Sequence, residues 1–467
     1  MARMTWLDLE VHPENSRILD IGAVRQDGAV FHSPSVSGAM DFLEGSDYLC
    51  GHNIIRHDLK YLRAATDRPI SGRAVDTLYL SPLLFPKKPY HALLKDDKLQ
   101  VDELNNPVND CRKAQQLFQD EVSAWRALPE EIRQVYRGIL REREEFQGFF
   151  QWMGEEEANP SPSSVPTLAR LIQKAWAGMI CENARMDALI QRYPMELAYA
   201  LALIHTRDAA SVTPPWVLRN YPRTENVIRY LCGTPCREGC AYCRKALDIH
   251  RGLKRIFGYD SFRTYQGEPL QERATQAAVD GKSLLAVFPT GGGKSITFQL
   301  PALLAGETVH GLTVVISPLQ SLMKDQVDHL AEAGITEAVT LNGLLDPVER
   351  ADAVRRVMNG SASLLFISPE QLRSKTIEKM LISRNVVRFV VDEAHCFSAW
   401  GQDFRVDYLY IGDFIRQLQE RKLAAQPIPV SCFTATAKPK VISDIRDYFK
   451  DRLGLDLELF TTSAERD

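Results

Sequence analysis

No stretch of this sequence stays apolar long enough to cross a bilayer, which argues against an α-helical membrane span. A secretory leader is missing too: a charged segment begins almost at once and Asp8 interrupts the first apolar run, so a cytoplasmic setting, nucleoid-associated if bacterial, is expected. There is no surplus of positive charge. Lys and Arg number 56 against 60 Asp and Glu, for a formal net charge of −4, so any nucleic-acid partner must be held by local grooves and stacking rather than by global attraction. No internal repeat is present, which excludes a solenoid. Cysteine is sparse, 9 in 467 residues, and Cys50, Cys111, Cys181, Cys396 and Cys432 are scattered singly. That excludes a disulfide scaffold and reads as buried thiols in a reducing compartment. What remains is an ordinary soluble composition, 45% hydrophobic and 25% charged, in a chain long enough for about three domains.

Two segments in the last third carry the strongest chemistry. Pro289-Thr290-Gly291-Gly292-Gly293-Lys294-Ser295 is a glycine-rich loop ending in a lysine and a hydroxyl. Without Cβ atoms, its backbone N–H groups can converge on phosphates; Lys294 adds a charge for the β and γ phosphates, and Ser295 a ligand for Mg²⁺. Asp392-Glu393-Ala394-His395 supplies the complementary half: Asp392 to hold the metal and Glu393 to polarise the attacking water. Each follows an apolar run, 283–288 and 386–391, which reads as a buried parallel strand, so both motifs are expected at strand C-termini. Phe288 stands where the strict loop pattern has glycine.

The flanking residues are Phe257-Gly258-Tyr259-Asp260-Ser261-Phe262-Arg263, the run from Ser317 to Gln326, Ser368-Pro369-Glu370-Gln371-Leu372, Asp392 to Arg405, and Phe433-Thr434-Ala435-Thr436-Ala437. From Phe257 to about Ala437 the chain resembles the RecQ family of superfamily 2 DNA helicases. The resemblance implies a RecA-like lobe, ATP hydrolysis and 3′-to-5′ movement on single-stranded DNA. It implies that Tyr259 and Arg263 sandwich adenine and that a glutamine reads the adenine edge. Gln271 fits by distance to Lys294, Gln266 by distance from Arg263; Gln271 is favoured because Glu272-Arg273-Ala274 continues as a helix start. Trp400 and Phe404 are the expected stacking faces for bases, with Arg405 as the cation; core packing is the competing role for Phe404. Thr434 and Thr436 fall in the family's coupling motif. The family also needs a second RecA-like lobe carrying an arginine. No such motif follows here, so either the chain is a piece or a partner segment supplies that lobe.

At the other end, Thr5-Trp6-Leu7-Asp8-Leu9-Glu10 puts two carboxylates on one strand face. Asp58 follows Gly51-His52-Asn53, and Asp110 follows Asp76-Thr77-Leu78 and Asn105-Asn106-Pro107. Four carboxylates around Mg²⁺ or Mn²⁺ suit in-line phosphodiester hydrolysis. From about Met4 to Phe118 the chain resembles the DEDD 3′-to-5′ exonucleases, which implies an RNase H-like α/β fold. It departs from them at the general base: the expected histidine or tyrosine is replaced by Asn105 or Asn106, whose amides take up no proton. His91 swinging in, a slow unaided metal-bound water, or a retired nuclease that only holds DNA ends are the three explanations.

Between these regions the pattern is helical from Lys113 to about Gly154 and again from about Pro166 to Thr206, broken by the acidic and Pro/Ser-rich run 155–164 and by Pro214-Pro215. Cys232, Cys236, Cys240 and Cys243 then crowd into a dozen positions, a spacing fit for one tetrahedral Zn²⁺, with an iron–sulfur cluster as rival. The expected architecture is α/β with a helical middle: an exonuclease-like domain over 1–120, a helical spacer over 121–225, a cysteine knuckle over 226–250 and a RecA-like P-loop lobe over 251–467. The expected activity is an ATP-dependent DNA helicase of RecQ type with an appended exonuclease-like domain, acting in repair, recombination or defence. Its rivals are a metal-dependent exonuclease using the lobe as a clamp, and a non-catalytic DNA-binding adaptor.

Overall fold

The computed structural model describes residues 2–88, 106–154, 164–206, 212–289, 293–398, 405–423, 426–435 and 438–461. The chain divides into two compact units, one of Met1–Ala175 with Arg185–Ala202, the other of Trp176–Ala184 with Leu203–Asp467. Among the described residues no helix is long and apolar enough to cross a membrane.

The first unit is built on a five-stranded mixed sheet in the order β3-β2-β1-β4-β5. Its strands are β1 (Met4–Val11), β2 (Ile18–Arg25), β3 (Val30–His32), β4 (Tyr48–Gly51) and β5 (Arg73–Asp76). β1, β2 and β3 pair antiparallel, whereas β4 and β5 run parallel to β1. In β1 the alternation does what a period of two requires: Leu7 and Leu9 enter the core, leaving Asp8 and Glu10 half-buried on the other face.

The helix Pro107–Ala127 packs on β1 and β2. Its start is set by Asn106, whose side-chain oxygen accepts from the Val108 N–H at 3.0 Å, with proline at the first helical position. That end lies against Gly22 of β2: a Cβ there would stand 2.5 Å from backbone atoms of Pro107 and Val108. The missing side chain lets Asp110 approach the sheet. A second close approach occurs at Gly148 in the helix Glu144–Met153, where a Cβ would meet the Ala74 carbonyl oxygen at 2.0 Å. Gly148→Ala is therefore expected to cost about 3 kcal/mol or more of stability, because the obstacle is backbone of β5 and cannot turn aside. Chemical denaturation of the variant checks this.

This packing corrects the expected domain division. The helices Glu130–Leu140 and Glu144–Met153 are not a spacer; they share an aromatic core with Trp125, which meets the Phe149 ring at 5.5 Å and the Tyr136 ring at 6.5 Å. The cysteine segment is likewise not separate, since it belongs to the second unit.

The second unit holds a seven-stranded sheet, all parallel, in the order β12-β6-β11-β10-β7-β9-β8. The strands are β6 (Leu284–Val287), β7 (Leu312–Ile316), β8 (Ala338–Leu341), β9 (Leu364–Ile367), β10 (Val386–Val391), β11 (Val430–Thr434) and β12 (Glu458–Phe460). Alternate residues feed two cores. Leu312, Val314 and Ile316 of β7 enter one, and Val315 enters the other. A sheet covered on both faces explains why β6, β7 and β10 read as continuous apolar runs rather than alternating ones. Phe288, the departure from the glycine loop pattern, is fully buried and stacks on Tyr265 with ring centres 4.9 Å apart.

Candidate functional site

The two sequence motifs of the second unit emerge at the C-terminal ends of β6 and β10, which β11 separates. Lys294 closes the space between them: its Nζ lies 2.6 Å from Glu393 Oε1 and 3.1 Å from Asp392 Oδ1. Burial pulls the Lys294 ammonium down, but the two carboxylates outweigh it and the group is raised. Burial likewise pushes the Asp392 carboxyl up, against the pull of Lys294. Glu393 sits in the left-handed region at φ 50°, a strained conformation for a residue with a Cβ. The Asp392 carbonyl oxygen accepts from Tyr408 Oη at 2.9 Å, which holds the strand end in place.

Around this pair, Gln271 is nearly fully buried and bridges two parts of the site. Its Oε1 accepts from the Arg263 N–H at 2.7 Å, and its Nε2 donates to the Gly293 carbonyl at 2.7 Å. Gln266 instead occupies a left-handed turn position, φ 50°, within the bridge from Tyr265 to Glu268. Tyr259 is exposed and lies parallel to Phe257, with ring centres 6.4 Å apart. Ser295 Oγ accepts from Gln326 Nε2 at 3.1 Å. Thr434 reaches the acid pair through His395, whose Nδ1 is 3.3 Å from Glu393 Oε2 and 3.4 Å from Thr434 Oγ1. Arg405 donates to the Pro318 carbonyl at 3.2 Å. Thr290, Gly291, Gly292, Trp400, Phe404 and Thr436 lie outside the described residues.

In the first unit, Asp8, Glu10 and Asp110 bring carboxylate oxygens within 4.8 Å of one another. Three half-buried carboxylates this close fit a hard divalent cation, which would relieve their repulsion and take oxygen ligands from all three. Asp58, expected to complete the set, is not in that trio. It is buried, and its Oδ1 accepts the Leu9 N–H at 2.8 Å, so this oxygen buttresses β1 between the two acids. Burial raises the Asp58 carboxyl despite its neighbour His57, whose Nδ1 is 3.4 Å away. The loop before it is shaped by Asp76, which accepts from the N–H groups of Asn53, Ile55 and Leu78 at 2.9, 3.1 and 3.0 Å. Burial pushes the Asp76 carboxyl up to about 7 against those three donors. Asn106 is occupied as the helix cap described above; Asn105 and His91 lie outside the described residues.

The cysteines require a correction. Cys236, Cys240 and Cys243 converge with Cys181, not with Cys232, and the four sulfurs lie within 4.8 Å of one another. The Cys232 thiol donates instead to the Met179 carbonyl at 3.3 Å. It sits in a helical turn, Arg229–Gly233, that carries it away from the later three, whereas Cys181 comes from a loop more than fifty positions upstream. Sequence spacing favours near neighbours and so passed over it. The Cys240 N–H, donating to Cys236 Sγ, holds the Cys236 thiol down at about 6, whereas burial raises the thiols of Cys181 and Cys243.

Comparison with known proteins bears on the second unit. Residues 268–445 match the DEAD/DEAH box helicase family. The chain is 43% identical over 204 residues to ATP-dependent DNA helicase Q5 of Mus musculus, covering 42% of this chain and 19% of that protein. It is 40% identical over 200 residues to ATP-dependent DNA helicase RecQ of Bacillus subtilis, covering 42% and 31%. It is 39% identical over 198 residues to ATP-dependent helicase SGS1 of Saccharomyces cerevisiae, covering 41% and 13%. The match thus spans under a third of each of these three relatives. The glycine loop, the acid pair at the end of β10 and the covered parallel sheet agree with those matches: the carboxy-terminal part of this chain carries a DEAD/DEAH box helicase domain similar to that of RecQ helicases.

Proposed function

We propose that this chain works as part of an ATP-dependent DNA helicase, with ATP bound at the ends of β6 and β10 and hydrolysis coupled to 3′-to-5′ movement on single-stranded DNA. The observation that carries the reading is the contact of Lys294 with Asp392 and Glu393. An ammonium shared by two carboxylates marks the place where phosphates and Mg²⁺ would enter: the lysine exchanges its carboxylate partners for phosphate oxygens, and Asp392 is freed to hold the metal. Glu393 then orients the attacking water. His395, bridging Glu393 and Thr434, offers a route by which the coupling segment senses that exchange. The test is ATP turnover by this chain with and without single-stranded DNA. Stimulation by DNA supports the reading; ATP binding that Lys294→Ala leaves untouched overturns it.

Gln271 is the adenine-reading glutamine in this proposal. Its contacts join the Arg263 backbone to the glycine loop, so a base held beside Arg263 and phosphates held by the loop are set at a fixed distance. Gln271→Ala is expected to weaken ATP binding at least about tenfold, because the Arg263 N–H and the Gly293 carbonyl both lose the side chain that ties them together. Gln266→Ala is expected to leave binding nearly unchanged. Titration with a fluorescent ATP analogue checks both.

The first unit would serve the same DNA as a divalent-metal site for 3′ ends, of DEDD exonuclease type. Asp8, Glu10 and Asp110 supply its ligands, and Asp58 supports the strand that carries two of them. The mixed sheet with acids on its central strand supports this assignment.

A further inference from the structure

We propose that Cys181, Cys236, Cys240 and Cys243 hold one Zn²⁺ ion, and that this ion clasps the loop 176–184 onto the helicase-bearing unit.

The distances favour a single ion. Tetrahedral thiolates at about 2.3 Å from zinc stand about 3.8 Å from one another. Here Cys181 Sγ and Cys240 Sγ are 3.9 Å apart, and all four sulfurs fall within 4.8 Å. An iron–sulfur cubane puts each thiolate on a different iron and spreads them more widely than one coordination sphere. All nine cysteines are free thiols, so no disulfide competes for these sulfurs.

The surroundings are arranged for thiolates. The Cys240 N–H points at Cys236 Sγ at 3.3 Å, the Cys236 N–H at Cys243 Sγ at 3.5 Å, and the Cys243 N–H at Cys240 Sγ at 3.5 Å. Asn183 adds a side-chain N–H to Cys236 Sγ at 3.4 Å. Donors aimed at sulfur stabilise its anionic form. The turn that folds Cys236 back toward Cys240 needs Gly239 at φ 62°, closed by its N–H to the Cys236 carbonyl at 3.2 Å. Arg237, Arg244 and Lys245 offset the negative charge of a zinc with four thiolates.

Topology says what the ion is for. The chain belongs to the first unit up to Ala175 and again from Arg185 to Ala202, but Trp176–Ala184 belongs to the second. Apart from the thiolates, polar ties that hold this excursion include the Cys181 N–H to the Leu231 carbonyl at 2.8 Å and the Cys232 thiol to the Met179 carbonyl. A metal ligand at Cys181 adds bonds far stronger than those ties and closes a long loop, the case in which a cross-link constrains the unfolded chain most.

The experiment uses the full chain. Zinc is measured after gel filtration, and tryptic cleavage after the exposed Arg185 is timed. The wild type and Cys232→Ser are expected to carry about one zinc each. Cys181→Ser is expected to fall below about a tenth of that, and to be cut after Arg185 at least about tenfold faster. Cys181→His, which returns a nitrogen ligand of suitable reach, is expected to keep its zinc; this separates coordination from mere misfolding. Full zinc in Cys181→Ser, loss of zinc in Cys232→Ser, or iron with visible absorbance in place of zinc overturns the proposal.

Discussion

Lys294→Ala is expected to weaken ATP binding by at least about a hundredfold and to bring turnover below about one per cent of wild type. Two effects add. The loop loses the only side-chain charge it offers to the phosphates, and the acid pair loses its cation. Asp392 and Glu393 are 14% and 24% exposed, too enclosed for water to screen them well, so their repulsion then acts against an incoming triphosphate. Glu393→Gln separates binding from chemistry. The amide keeps its size and leaves Asp392 to hold the metal, so ATP binding should survive while turnover drops about a hundredfold to a thousandfold. Calorimetric titration with ATP, run beside a phosphate-release assay, reads both quantities. A Lys294→Ala protein that hydrolyses ATP at the wild-type rate would remove the basis for placing the nucleotide here.

The second large effect concerns Asp8, Glu10 and Asp110. Mn²⁺ at about a hundred times its dissociation constant is expected to stabilise the wild type by about 2.7 kcal/mol. Asp8→Asn and Asp110→Asn should lose most of that response, since each removes one of three charges that meet within 4.8 Å. Without metal the order reverses: either variant should be more stable than wild type by about 1 kcal/mol, because one neutral amide relieves the crowding of like charges. Thermal melts with and without Mn²⁺ give both signs. If Mn²⁺ protects Asp110→Asn as well as wild type, the trio is a structural cluster and not a metal site. If the site also cleaves, digestion of single-stranded 3′ ends in Mn²⁺ should disappear in Asp8→Asn and persist in Lys294→Ala.

Much of the helicase-bearing unit was legible because its signals are local. A buried parallel strand needs a continuous apolar run, and a phosphate loop needs glycines directly after it; β6 and β10 fall within the runs that precede the two motifs. Phe288 looked like a flaw in the loop pattern, and only its stack on Tyr265 explains why an aromatic stands there. The convergence of Asp8 with Glu10 was readable from a period of two. The removal of Asp58 from their company was not, because the hydrogen bond from Leu9 that holds it spans 49 residues.

Domain division and the cysteine set erred for one common reason. Composition marks a helix-rich stretch but not the surface it packs on, and the helices after Trp125 are joined to the first sheet by a glycine contact, Gly148 on Ala74, that leaves no periodic trace. Spacing marks Cys236, Cys240 and Cys243 as partners because a short turn must bring them together. The fourth partner arrives from a distant loop, and no local rule distinguishes Cys181 from any other single buried thiol. By itself, then, the sequence determined the helicase-domain likeness of the carboxy-terminal part, its two motifs and the strands that present them, since each is written within a few residues. The tertiary structure alone decided which carboxylates meet, which cysteine completes the four and where the units divide. Those depend on contacts between segments far apart in the chain, where packing and buried hydrogen bonds choose among residues that look alike in sequence.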